Sequence, residues 1–148
     1  MFSDIAKANK HFSRAVDRFP VLPEGDADAA YDGEMAIMHM MLAGHTAAET
    51  SLRRVLGILG EALPTGPDSH ARLIERCASP IPGGRAALIS SGLMRALRET
   101  RQFRHVAMHT YDDLDRNKAR FAIDAARIVA SRLEPEIAAF RDAIDPPR

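Results

Sequence analysis

Tryptophan is absent from this chain, and six Phe and two Tyr are the only other aromatics among 148 residues. No stretch alternates β-branched or aromatic residues with polar ones, so the signal for a half-buried strand is missing throughout and the chain reads as all-α. The single cysteine, Cys77, excludes an internal disulfide framework and reads as a small buried apolar residue. Its lack of partners fits a reducing compartment, and the expectation is cytoplasmic. No run approaches the ~18 apolar residues of a membrane span. Met1-Phe2-Ser3-Asp4 carries an acid where a secretory signal would be basic and then apolar, so a soluble protein without membrane attachment is expected. Net charge is missing too: 20 basic residues balance 20 acidic ones. Any attraction for phosphate is therefore local. With 46% hydrophobic residues over this length, the composition is enough for one core, and residues 1–148 read as a single domain.

What is present is the helical period. A first helix is expected from Ser3 or Asp4 to about Arg18, burying Ile5, Ala8, Phe12 and Val16, with Pro20 and Pro23 stopping it. Asp26 or Asp28 caps a long second helix reaching about Leu63, whose expected inward stripe includes Tyr31, Met35, Met38, Leu42, Leu52 and Leu56. Asp68 starts a short third helix through Leu73, Ile74 and Cys77, and the Gly83-Gly84 pair marks a turn rather than a phosphate loop. A fourth helix is expected from near Arg85, carrying Leu88, Leu93, Leu97 and Phe103, with a polar break over 112–117. A last helix from about Asn117 is expected to bury Phe121, Ala125, Ile128, Val129 and Leu133 and to kink or break near Pro135. Short connections between these segments predict an up-and-down bundle of four main helices plus one short piece, the fourth lying against the second and fifth.

The densest chemistry lies in Arg101-Gln-Phe-Arg104-His105-Val-Ala-Met-His109-Thr-Tyr111. Arginine presents a planar fork of donors that matches phosphate oxygens, and histidine can both give and take a proton near neutral pH. Arg95, Arg98, Arg101 and Arg104 recur every third residue with Glu99 the only nearby acid, which makes a positive strip on a neutral chain. At ~100° per residue, Arg101, His105 and His109 share one stripe, whereas Arg104 and His109 diverge by about 140°. Either the helix ends before His109 and the chain turns it back, or a second copy supplies the complementary group across a two-fold axis.

Plainer readings stand beside this one. An arginine-rich strip is often just a solvated helix face. His105 and His109 at i, i+4 match paired metal ligands, but no third ligand completes a site in the sequence, and no metal or cofactor is expected. His39 and His45 read as surface or interhelical hydrogen-bonding residues, with His45 and Glu49 spaced to join a polar cluster facing the strip. Met35, Met38, Met40 and Met41 read as core or interface packing.

Arg104, four residues, His109, one residue and Tyr111 resemble the R-x4-H-x-Y signature of the HEPN superfamily, in particular its HepT-like ribonuclease toxins. His105 fills the place after the arginine that the family often gives to Asn, Asp or His. The all-α layout, with the motif near the end of the penultimate long helix, is also similar. The resemblance implies a HEPN-like homodimer with its two motifs facing across a cleft, and a metal-independent endoribonuclease. His109 would be general acid or base, Arg104 would hold the scissile phosphate, and Arg98, Arg101 and His105 would contact RNA. It further implies a toxin–antitoxin pair in which a nucleotidyltransferase antitoxin adenylylates Tyr111. A reading of a different class is a non-catalytic helical partner of a nucleotidyltransferase, using the same strip to hold a nucleotide.

Overall fold

The computed structural model describes the backbone of residues 1–109 and 114–148 and the side chains of 1–105 and 114–148. Five α-helices make up the described chain: α1 Phe2–Arg18, α2 Ala27–Ile58, α3 Ser69–Ala78, α4 Ser91–His109 and α5 Arg116–Ile144, with a single 3-10 turn at Phe19–Val21. No strand occurs among the described residues, and the bundle is all-α as the composition required. Helix α1 packs on α2 and α5, and α4 packs on α5 and α2, closing a four-helix arrangement with α3 laid against α2 and α4.

Local chemistry explains most boundaries. Asp26 accepts hydrogen bonds from the Asp28 and Ala29 backbone N–H groups at 3.0 and 3.1 Å and starts α2. Asp115 does the same for α5 with Asn117 and Lys118 at 3.0 and 3.2 Å. Each side chain satisfies donors that the first helical turn leaves orphaned. Helix α2 stops short of the expected Leu63 because Gly60 adopts φ 73°, and Glu61 N–H then folds back to the Leu56 carbonyl at 2.9 Å in a Schellman closure.

Two other boundaries depart from expectation. Arg85 does not open α4. Its guanidinium holds Glu61 and donates to the carbonyls of Arg76 and Ser79 at 3.1 and 3.0 Å, so it closes the C-terminal end of α3. The helix begins instead after Ser90, whose hydroxyl accepts from Leu93 N–H at 3.2 Å while Glu136 of α5 receives Ser90 N–H and Oγ–H at 3.0 and 2.6 Å. Nor does Pro135 break α5, which continues to Ile144. Proline removes one backbone donor, and Pro135 and Ser131, whose carbonyl loses that donor, are both exposed, so the carbonyl is not left orphaned in the core. The polar break expected over 112–117 lies partly outside the described residues; from Arg116 the chain is already helical.

The core joins all five helices through residues such as Ile5, Phe12, Ile37, Leu52, Leu73 and Leu133. The early part of α2 is rotated from the expected stripe. Tyr31 is 54% exposed, and the inward positions are Glu34, Ile37, Met41, Gly44 and Ala48. Similarly, Phe121 is 69% exposed and Ile128 38%, because α5 meets its neighbours through Ala119, Ala122, Ile123 and Ala126. Small side chains let helices approach closely where large ones would hold them apart. Cys77 is fully buried, and that burial pushes its thiol up to about 12.

Candidate active site at the end of α4

Helix α4 carries a buried stripe of Leu93, Ala96, Leu97 and Thr100. Arg104 follows Thr100 by one turn on the same face. Its side chain is half-buried, and its Nε is buried with no hydrogen-bond partner among the described residues. A guanidinium whose donors are not consumed by a neighbouring carboxylate is free to take phosphate oxygens. Arg98 is less free: it donates to Glu75 of α3 at 2.9 Å. Both groups are about half exposed, and such pairs contribute only ~0.2–1 kcal/mol, so a competing anion would displace Glu75 readily. Arg101 is half-buried, while Arg95 and His105 are exposed, which places the positive strip along an accessible flank.

The helix runs unbroken through His109. One of the two ways to bring Arg104 and His109 together, an early helix end with a turn back, is therefore closed. On a continuous helix the offset of five positions between them turns the two apart by about 140°. The side chains of Met108 and His109 and the whole of Tyr111 lie outside the described residues. His105 stays on the strip, and among the described residues no three His, Cys, Asp or Glu side chains cluster to hold a metal ion.

Behind α4 lies a polar chain that the sequence only half revealed. His45 Nδ1 lies 2.8 Å from Thr100 Oγ1, His45 Nε2 lies 2.8 Å from Glu49 Oε1, and Glu49 Oε2 lies 2.7 Å from His70 Nδ1. His45 is thus the interhelical hydrogen-bonding residue its position implied. His70 and Thr100 were not foreseen. The available signal was Thr100 itself, a polar residue within the Leu93–Leu97 stripe, but its partner sits 55 residues away. His39, the other histidine of α2, is exposed and meets His11 edge-on at 6.4 Å.

Burial pushes the Glu49 carboxyl up, but the hydrogen bonds and charges of His45 and His70 outweigh it and hold the group down at about 2. A carboxylate with a depressed folded-state pKa stabilises the fold fully above its unfolded value, here 4.5, and that contribution is lost as pH falls through about 2. Glu49→Gln should remove this limb, worth on the order of 3 kcal/mol. Urea midpoints for wild type and variant should converge between about pH 5 and pH 2, and a gap that stays constant would contradict the ionised network.

These features define the class: an all-α bundle with an Arg-x4-His-x-Tyr motif at the end of its penultimate helix, backed by α2 and α5. The HepT-like protein family matches residues 36–144, and the chain belongs to that family, within the HEPN superfamily. No curated protein and no solved structure matches it. The match begins inside α2, so α1 lies outside it while supplying part of the core.

Proposed function

We propose that this protein is a metal-independent endoribonuclease toxin acting through a site composed across a homodimer. The observation that carries the proposal is the pair Arg104 and His109 on one uninterrupted helix of a HepT-like chain, with the Arg104 Nε unpaired among the described residues. Because the two residues diverge on their own helix, a two-fold axis beside α4 would let Arg104 of one copy face His109 of the other.

The ribose 2′-oxygen attacks the adjacent phosphorus and the bond to the 5′-oxygen breaks, leaving a 2′,3′-cyclic phosphate and a 5′-hydroxyl. His109 accepts the 2′-hydroxyl proton or supplies one to the departing 5′-oxygen. Arg104 holds the phosphate and stabilises the charge that builds on its oxygens in the transition state. Arg98, Arg101 and His105 extend the contact along the RNA backbone. A cognate nucleotidyltransferase antitoxin would transfer AMP to the Tyr111 oxygen, releasing pyrophosphate from ATP. The added bulk and negative charge beside the arginines would block RNA.

The test is direct. Purified protein incubated with a defined RNA in excess EDTA should yield fragments ending in 2′,3′-cyclic phosphate. Intact RNA under those conditions, with ATP binding retained, would instead identify a non-catalytic partner of a nucleotidyltransferase.

A further inference from the structure

We propose that His70, Glu49 and His45 form a positioning chain that ends on Thr100 and sets the angle at which α4 presents Arg104. The proposal rests on the reading that Arg104 handles phosphate. The chain crosses three elements, from the half-exposed ring of His70 on α3, through Glu49 and His45 of α2, to Thr100 of α4. His45 and Thr100 are fully buried and Glu49 nearly so.

Stability alone does not account for such an arrangement. Well-packed apolar residues of similar volume commonly do as well as a buried charged network or better. What a satisfied network adds is direction. The remaining inward contacts of α4 before Arg104, through Leu93, Ala96 and Leu97, are apolar and non-directional. A hydrogen bond of 2.8 Å to Thr100 Oγ1 adds a directional constraint. Together with the Glu136 clasp on Ser90, it fixes α4 at two points, the second one turn before Arg104.

Proton accounting supports a complete chain. The Thr100 hydroxyl has one proton and two acceptors in reach, the Leu97 carbonyl at 3.1 Å and His45 Nδ1 at 2.8 Å. If it donates to Leu97, His45 donates from both ring nitrogens, to Thr100 and Glu49. If it donates to His45, the Nε2 proton still serves Glu49. In both arrangements His45, Glu49 and Thr100 are satisfied, so the link to α4 holds whichever way the Thr100 hydroxyl points.

Small rotations matter at this site. Turning α4 by ~20° would swing a side chain ~6 Å from the axis through about 2 Å. Misplacing a reacting group by about 1 Å can cost ~10²-fold in rate. Thr100→Val keeps the shape and removes the hydroxyl, whereas Thr100→Ser keeps the hydroxyl.

The experiment pairs RNA cleavage kinetics with NMR of the Arg104 Nε–H signal in RNA-free protein, assigned by its loss in Arg104→Lys. Thr100→Val should lower kcat about tenfold to a hundredfold with KM little changed, and should shift or broaden the Arg104 signal. Thr100→Ser should restore both. A folded Thr100→Val with native kcat and an unmoved Arg104 signal would overturn the proposal. Should Thr100→Val fail to fold, His70→Asn at the half-exposed end carries the test, with the same changes expected in smaller degree and their absence counting against it. If wild type cleaves no RNA, the ribonuclease reading fails, while the Arg104 signal still decides the positioning claim.

Discussion

Mixing the Arg104→Ala chain with the His109→Ala chain should restore RNA cleavage that neither shows alone. Each variant by itself is expected to lose about 10²- to 10⁴-fold in rate, the range for removing a positioned proton-transfer group or a charge-stabilising donor. If Arg104 of one copy works with His109 of the other, a mixed dimer has one site with both residues missing and one with both intact. Random re-association makes half of the dimers mixed, so activity should recover to about a quarter of the wild-type value. A site built within a single chain gives no recovery at any mixing ratio. Circular dichroism on each variant checks that helix content is unchanged, since Arg104 lies partly within the bundle.

Phe12→Ala should be the most damaging single core change, for a reason found on the opposite helix. The ring is fully buried, and a Cβ added at Gly44 of α2 would lie 2.8 Å from it. Phe12 thus fills a hollow that exists because residue 44 has no side chain. Truncation should destabilise the fold by about 3–5 kcal/mol, with a fall in Tm of roughly 6–20 °C. Gly44→Ala alone should cost about 1–3 kcal/mol by crowding the ring. In the double variant the new methyl enters space the ring has left, so the combined loss should be smaller than the sum. Thermal and urea unfolding of the four proteins gives the coupling directly, and strict additivity would show that the two positions do not share that space.

The sequence revealed the helices most clearly where a short polar side chain or a glycine acts on its own neighbours. Asp26 heads α2 as expected, and a helix beginning within a residue of Asn117 was evident before its Asp115 cap was seen. The facing of the helices was harder to read. Following the large side chains from Tyr31 to Met35 and Met38 places the wrong side of α2 inward, because the core there is built from Ile37 and Met41 with Gly44 receiving a ring from α1. Phe121 misleads in the same way, since the first turns of α5 bury Ala119, Ala122 and Ile123 and leave Phe121 outside. Side-chain size predicts burial only when the partner helix has room.

Within the site, the strip from Arg95 to Arg104 follows from local spacing, and its position near the end of α4 was apparent. Its commitments were not. That Arg98 is shared with Glu75, that Arg85 belongs to α3, and that Thr100 is held from α2 all depend on residues 9 to 55 positions distant. Helical period carries no information about such partners.

The Ser90–Glu136 clasp has a consequence for the order of events during synthesis. The residues that cap α4 are separated by 46 positions, and the later one lies beyond Pro135 in the last helix. The ribosome therefore releases the Arg104 and His109 segment well before the carboxylate that holds the capping Ser90 of its helix. A nascent chain stopped before α5 would carry Arg104 and His109 on a helix whose capping Ser90 is unbraced and which lacks its largest packing partner. Under the proposed function, translation of α5 would govern when the nuclease comes into being.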